Sequence, residues 1–319
     1  MLRQMIEQTI NHSTEPDEAL SCCVCGTRLV SRFERVVDPQ SLEPFSIQVC
    51  PACGLGHTTP QPADLGSYYG KAYYGNRHSF TKRLCMRRRA QLLDQAAGGK
   101  RGRLLDIGCG DGSFLREAQS HGWSPTGTEL GGNPARTLEG DIPLFAEVRE
   151  AARGQRYDAV TMWHSLEHFR DVRAAIADAR QALRPGGTLI VAVPDAGGLQ
   201  ARLFGPQWFH LDVPRHLFHF TQAALTRLLV QQRLTIESWG HQEAELDVFG
   251  WMQSALNSVL PVPNVLFSEL TGKPTRASLW ARLASYAMGS CAFPISVGAT
   301  AASAALGRGG TLIAVARAA

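Results

Sequence analysis

The stretch Arg103-Leu104-Leu105-Asp106-Ile107-Gly108-Cys109-Gly110-Asp111-Gly112-Ser113-Phe114-Leu115 decides how the rest of the chain is read. Leu104 to Ile107 is a short apolar run broken by one acid, the pattern of a buried parallel strand. Three glycines at alternate positions follow, and a helical pattern opens at Ser113. A strand, a glycine turn and a helix in that order begin a nucleotide-binding α/β unit. Glycine lets the backbone turn tightly there and lets a ligand come close without meeting a Cβ.

The residues inside the turn narrow the ligand. A dinucleotide fingerprint, G-x-G-x-x-G, would need a glycine where Ser113 stands. Asp106 and Asp111 also place negative charge where a pyrophosphate would sit, whereas phosphate sites want bare N–H groups. A ligand with an ammonium, a sulfonium and free hydroxyls suits two carboxylates better. Ser124 to Glu129 then reads as a second strand ending in an acid. Glu129 lies about 20 residues beyond Gly108, where an acidic side chain accepts hydrogen bonds from a ribose diol.

On these residues the chain resembles the class I S-adenosylmethionine-dependent methyltransferases of the type 11/23 kind, whose first motif looks like Leu105 to Gly112. The resemblance continues through Tyr157 to Met162, similar to the family's fourth strand. It extends to Trp163-His164-Ser165-Leu166-Glu167-His168-Phe169, similar to its Leu-Glu-His signature, and to Leu183-Arg184-Pro185-Gly186-Gly187-Thr188, similar to the turn into strand five. It covers roughly residues 100 to 240 and implies a Rossmann-like α/β fold: a seven-stranded sheet with helices on both faces and an antiparallel last strand, here Thr311 to Ala316. It also implies S-adenosylmethionine as cofactor, held by Asp106, Gly108, Cys109, Gly110, Gly112 and Glu129. Trp163 and His164 would lie at the cofactor's edge, and Glu147, after the short strand Ile142 to Phe145, near its adenine.

Composition is that of an ordinary globular protein: 319 residues, 44% hydrophobic and 19% charged, with a net charge of +4. So modest a charge, with no base-reading motif, does not lead us to expect a nucleic-acid partner. Met1 to Glu7 has no apolar h-region, and eight cysteines without an export signal point to a reducing, cytoplasmic setting.

Close cysteine pairs in that setting bind metal more often than they cross-link. Cys22, Cys25 and Gly26, with Cys50, Cys53 and Gly54, make two C-x-x-C-G knuckles and read as a four-thiolate structural zinc ribbon. Cys22 is preferred over Cys23 because it keeps the two-residue spacing. So small a module has little core of its own, so zinc is expected to hold it. Cys85, Cys109 and Cys291 lack partners and are read as buried thiols.

We divide the chain into a flexible N-terminus (1–20), the zinc ribbon (21–58), a connector or lid with a basic helix (59–99), the cofactor-binding core (100–246), an apolar helical insertion (247–308) and the last strand (309–319). Tyr68, Tyr69, Tyr73 and Tyr74 read equally as a packed connector or as a lid. Lys82, Arg83, Arg87, Arg88 and Arg89 read as a solvated helix face, with phosphate contact as the alternative. From Leu283 to Gly307 no residue carries a formal charge. The composition there, rich in Ala, Ser, Gly and Thr around Pro294, favours a core helical hairpin. An interfacial helix, and so peripheral membrane contact through 283–307, comes second, and a true span third.

Methyl transfer is an in-line displacement, so placement of the nucleophile supplies much of the rate, and a hydroxyl acceptor also needs a base. The candidate bases are His168, His216 and His164 first, with His210, Asp212 and His219 after them. The stretch Arg202 to Phe220 follows strand five, where loops of open α/β sheets build sites. It resembles one in methyltransferases of bacterial surface-glycan and lipid gene sets, and makes Trp208, Asp212, Arg215 and His216 the acceptor candidates. The reading is methylation of a small molecule or a glycan- or lipid-linked precursor, on oxygen first. Sugar C-methylation is the alternative, because the knuckles joined to this core also resemble that group, and a nucleic-acid modifier is the rival from another class.

Overall fold

The computed structural model describes residues 20–68, 79–129 and 142–319. Most of the N-terminus expected to be flexible, and Tyr69, Tyr73 and Tyr74 of the expected lid, lie outside the described residues. The chain begins with three antiparallel strands, β1 (Val30–Val37), β2 (Pro44–Val49) and β3 (Gly56–Thr59). Helix α1 (Ser79–Ala96) leads into the alternating part: β4 (Arg103–Ile107), α2 (Ser113–Ser120), β5 (Ser124–Thr128), β6 (Leu144–Phe145) and α3 (Val148–Ala151). After it come β7 (Tyr157–Trp163), α4 (Val172–Ala182), β8 (Leu183–Pro194), α5 (Leu199–Phe204), β9 (Phe218–His219), α6 (Gln222–Gln231) and β10 (Leu234–Gly240). Three helices, α7 (Ala244–Asn257), α8 (Val265–Thr271) and α9 (Leu279–Ala305), precede β11 (Thr311–Ala318).

Seven strands form one sheet in the order β10-β11-β8-β7-β4-β5-β6. β4 pairs in parallel with β5 and β7, while β11 runs antiparallel between β8 and β10. This is the expected Rossmann-like sheet with its reversed last strand. Along β8, Leu189, Val191 and Val193 enter the core on one face, and Ile190 and Ala192 enter the core on the other. Period-two alternation of apolar residues on both sides is what a strand covered on both faces requires. α1 and α2 cover the second face; α4 and α6 cover the first. β8 starts earlier than Thr188 because Leu183 already pairs with Tyr157, ahead of an irregularity at the Pro-Gly-Gly turn.

Two expectations are corrected. Residues 279–305 form one continuous helix of 27 residues through Pro294, where a hairpin was expected. Proline removes one main-chain hydrogen bond, but Ser285 and Gly289 before it, and Ser296 and Thr300 after it, are buried against the protein, so packing on both sides carries the helix through. Small residues make the buried face, and the large apolar ones point outward, with Trp280 81% and Ile295 73% exposed. Among the described residues no helix is long and apolar enough to cross a membrane. Cys291, read as a buried thiol, is exposed on this helix.

The front module is bound into the fold more closely than its small size suggests. β9, from the loop after β8, pairs with β3 through Gly56↔His219 and His57↔Phe218, completing a sheet β1-β2-β3-β9. Cys22, Val24, Cys50, Cys53 and Leu55 belong to the same buried cluster as the main sheet. A second cluster joins Val36, Phe45 and Ile47 to Trp208, Leu211 and Val213 of that loop. Tyr68 is packed here too, its ring edge-on to Phe45 and its hydroxyl bonded to Glu43.

Candidate active site

The glycine turn sits at the carboxyl ends of β4, β5 and β7. Gly108 has a left-handed φ of +76°, and a Cβ there would stand 2.6 Å from Cβ of Ser165. Ser165 in turn donates to the carbonyl of Ile107 at 2.7 Å, clamping the end of β4 to the turn after β7. Gly110, also left-handed at +57°, has open space where its Cβ would be, and Gly112 caps α2. Glu129, at the end of β5, accepts the Gly110 N–H at 2.7 Å. Asp111 pairs with Lys82 of α1. Cys109 is buried, its sulfur against the position Gly127 leaves open, so it packs below the turn. Asp106 is buried and accepts from Thr161 at 2.6 Å; burial raises its pKa to about 7. Glu147 is exposed just before α3.

The two glycines separate folding from binding. Both alanine variants meet the left-handed backbone penalty of about 1–2 kcal/mol, but only Gly108→Ala also overpacks. Gly108→Ala is therefore expected to lose about 1–3 kcal/mol more stability than Gly110→Ala, measured by urea denaturation. Equal losses would show that the Ser165 contact does not constrain the turn.

Beside the turn, at the end of β7, a charged group is assembled from three separate parts of the chain. His164 has a left-handed φ of +51° and offers Nε2 to Glu243 at 2.6 Å. Arg89 of α1 donates to the same carboxylate at 2.9 Å and lies over the Trp163 ring, 4.9 Å from its centroid. Trp163 is thus buried between Arg89 and Phe114. Burial opposes a charge on His164, but the Glu167 and Glu243 carboxylates outweigh it and lift its pKa to about 9. Against the same burial, Arg89 first and then His164 hold Glu243 well below the carboxylate range.

Glu167 follows on a single 3-10 turn, Leu166–His168, and is 1% exposed. Its Oε1 is 3.7 Å from Nδ1 of His164 and 4.0 Å from Nε2 of His216. The His168 and His216 rings meet edge to face at 4.8 Å. Arg215, one of the acceptor candidates, is buried and donates to Asp38 at 3.0 Å and to Asp212 at 2.6 Å, tying the loop to the front module. Asp212 would be raised by burial, yet Arg215 and His216 hold it well below the carboxylate range. Trp208 lies in the apolar cluster, its Nε1 bonded to Gln200 at 3.3 Å. Burial depresses His210 and His219 to about 3, which makes them neutral packing residues.

The structure thus brings His164, His168, His216 and Asp212 together and leaves Trp208 and Arg215 to packing and internal ion pairs. Glu243, Arg89, Lys82 and Asp38 were not among the predicted site residues, because nothing local marks an acid that pairs with an arginine of a distant helix. The basic face of α1 divides. Lys82 and Arg89 pair with Asp111 and Glu243. Arg83, Arg87 and Arg88 stay exposed, as a solvated face would be, with Arg87 3.8 Å from Glu117 and Arg88 3.4 Å from Glu245.

At the front, Cys22, Cys25, Cys50 and Cys53 have their sulfurs within 4.8 Å of one another, with Cys22–Cys53 at 3.6 Å and Cys25–Cys50 at 3.3 Å. Four thiolates about 2.3 Å from a tetrahedral zinc stand roughly 3.8 Å apart, so the cluster is compatible with the zinc ribbon and leaves no open position. Cys23 lies outside it.

Residues 77–238 match the family model described as a methyltransferase domain. The ubiquinone biosynthesis O-methyltransferase of Saccharophagus degradans is 32% identical over 111 residues, covering 32% of this chain and 47% of that protein. The one from Salmonella newport is 28% identical over 121 residues, covering 34% and 50%. The chain therefore spans about half the length of the curated relatives it matches. Among solved structures, a SAM-dependent methyltransferase from Archaeoglobus fulgidus aligns with a TM-score of 0.45 and 15% identity, over 80% of this chain and all of that one.

Proposed function

The chain belongs to the methyltransferase-domain family, and from that premise we propose that it transfers a methyl group from S-adenosylmethionine to an oxygen of a small molecule or of a glycan- or lipid-linked precursor. The observation that carries the cofactor half is the glycine turn. Gly108 is closed against Ser165, Gly110 is open to an approaching ligand, and Glu129 reaches the turn from the end of β5. Glu129 would hold the ribose hydroxyls, exchanging its bond to the Gly110 N–H, while Trp163 and His164 border the methyl end. When bound, the cofactor supplies a methyl carbon on a sulfonium.

The rest of the chemistry falls to the polar group beside β7. His164 stays charged between two carboxylates and is occupied. Burial lowers the His216 pKa and keeps that ring neutral, with Nδ1 donating to the His210 carbonyl at 2.8 Å, so its Nε2 is free to accept a proton. Glu167, His168 and His216 together would orient an acceptor hydroxyl and receive its proton. An oxygen acceptor is favoured because this group is polar and titratable. The buried pair of Arg89 with Glu243 takes one of the cations on which a nucleic-acid reading drew. The outward apolar face of α9 suits a lipid-linked acceptor or peripheral contact with a membrane surface.

Calorimetric titration with S-adenosylmethionine tests the cofactor half. Wild type is expected to bind at one site, and Glu129→Ala at least tenfold more weakly, since a charge-assisted bond is worth about 1.5–3 kcal/mol. Folded, metal-loaded wild type that fails to bind would remove the proposal.

A further inference from the structure

The geometry points to a second metal site in this chain, formed by Glu167, His168 and His216 and taking a divalent first-row transition ion. One carboxylate oxygen and one ring nitrogen from each histidine lie within 4.8 Å of one another. Glu167 is 1% exposed, yet neither of its carboxylate oxygens has a hydrogen-bond partner among the described residues. The charged His164 ring at 3.7 Å balances part of this charge, but buried carboxylate oxygens without a hydrogen bond are costly and ask for an explanation. An ion between the three side chains supplies it.

The surroundings of the histidines agree. His168 Nδ1 bonds to the Arg215 carbonyl at 2.9 Å, and His216 Nδ1 to the His210 carbonyl at 2.8 Å. A main-chain carbonyl can only accept, so each Nδ1 carries a proton, and in the neutral ring the lone pair is then on Nε2. That outer arrangement is how proteins fix the tautomer and direction of metal-binding histidines. About an ion with bonds near 2.1 Å, ligand atoms stand about 3.0–3.5 Å apart. The His216–Glu167 contact of 4.0 Å needs a closure of less than about 1 Å, within side-chain reach. Asp212 Oδ2, 3.9 Å from His216 Nε2, adds negative charge beside the site.

Two histidines and one carboxylate leave coordination positions open, in contrast to the four thiolates, and suit imidazole-seeking ions such as zinc, iron or nickel. An ion held so would take an oxygen donor in its open positions, an acceptor hydroxyl among them. With an ion in place the three residues would act on that oxygen through it, instead of taking its proton directly. Only this last use rests on the methyl-transfer reading; metal binding does not.

The test is metal stoichiometry of the full chain. After chelation, reconstitution with Zn²⁺ and desalting, wild type is expected to hold two ions per chain by elemental analysis, and Glu167→Gln and His216→Asn one each. Because a variant can misfold, wild type given only one equivalent of Zn²⁺, which the four thiolates take first, is also titrated with Co²⁺. Visible ligand-field absorption without a sulfur charge-transfer band is expected, marking a nitrogen–oxygen site. One zinc per wild-type chain with no cobalt spectrum, or two ions retained by both folded variants, would overturn the second site. Cofactor binding, measured separately, would stand whichever way this falls.

Discussion

Glu243→Ala is expected to destabilise the protein by roughly 3–5 kcal/mol, because it leaves buried charge without its counterion. Glu243 is buried and serves Arg89 and His164 at 2.9 and 2.6 Å, and Cys85 donates to it at 3.3 Å. No other carboxylate among the described residues pairs with Arg89, and Glu167 is 3.7 Å from His164, too far to replace the bond. The loss should also depend on pH. His164 is raised from its ordinary 6.5 to about 9 in the folded protein. A raised histidine contributes stability that is fully present below about pH 6.5 and is lost as pH rises through about 9. The gap between wild type and Glu243→Ala in urea denaturation should therefore be widest near pH 6.5 and narrow towards pH 9.5, with the Arg89 share persisting. A gap under 1 kcal/mol, or one flat across that range, would mean that His164 is not held charged by this acid.

Loss of the zinc proposed for the four thiolates is expected to be the other large effect. Zinc binding by such sites amounts to roughly 10–16 kcal/mol in small modules, and here the cluster is continuous with the main core. Cys53→Ser, or chelation of wild type, should lower the melting temperature by more than about 10 °C, at roughly 2–4 °C per kcal/mol for a domain of this size. The damage should also reach the loop after β8, because β3 carries β9 and Asp38 holds Arg215. Amide exchange over Asp212 to His219 should accelerate in the metal-free protein. Unchanged melting after complete zinc removal would show that packing alone holds the front module.

The parts legible in the sequence are those encoded within short windows. The apolar run and glycine spacing of residues 104–112 specify a buried strand and a tight turn, and β4 and α2 form there. The alternating residues of β8, and of β11 at the far end of the chain, specify strands covered on two faces. Two knuckles with matched spacing named four sulfurs that the fold brings within 4.8 Å. In each case the deciding physics acts between neighbours along the chain: side-chain period, a missing Cβ, the bite of C-x-x-C.

What the tertiary structure alone decided lies between segments far apart. The pairing of Arg89 with Glu243 crosses 154 positions, and that of Arg215 with Asp38 crosses 177. These pairings turned Arg89 of the basic helix and Arg215, an acceptor candidate, into internal braces. The course of α9 through Pro294 depended on the small residues it could bury against α7 and α8, a packing surface that its own composition does not display. Pairwise electrostatics and packing fall off over a few ångströms, and only the folded chain determines which residues come within that range.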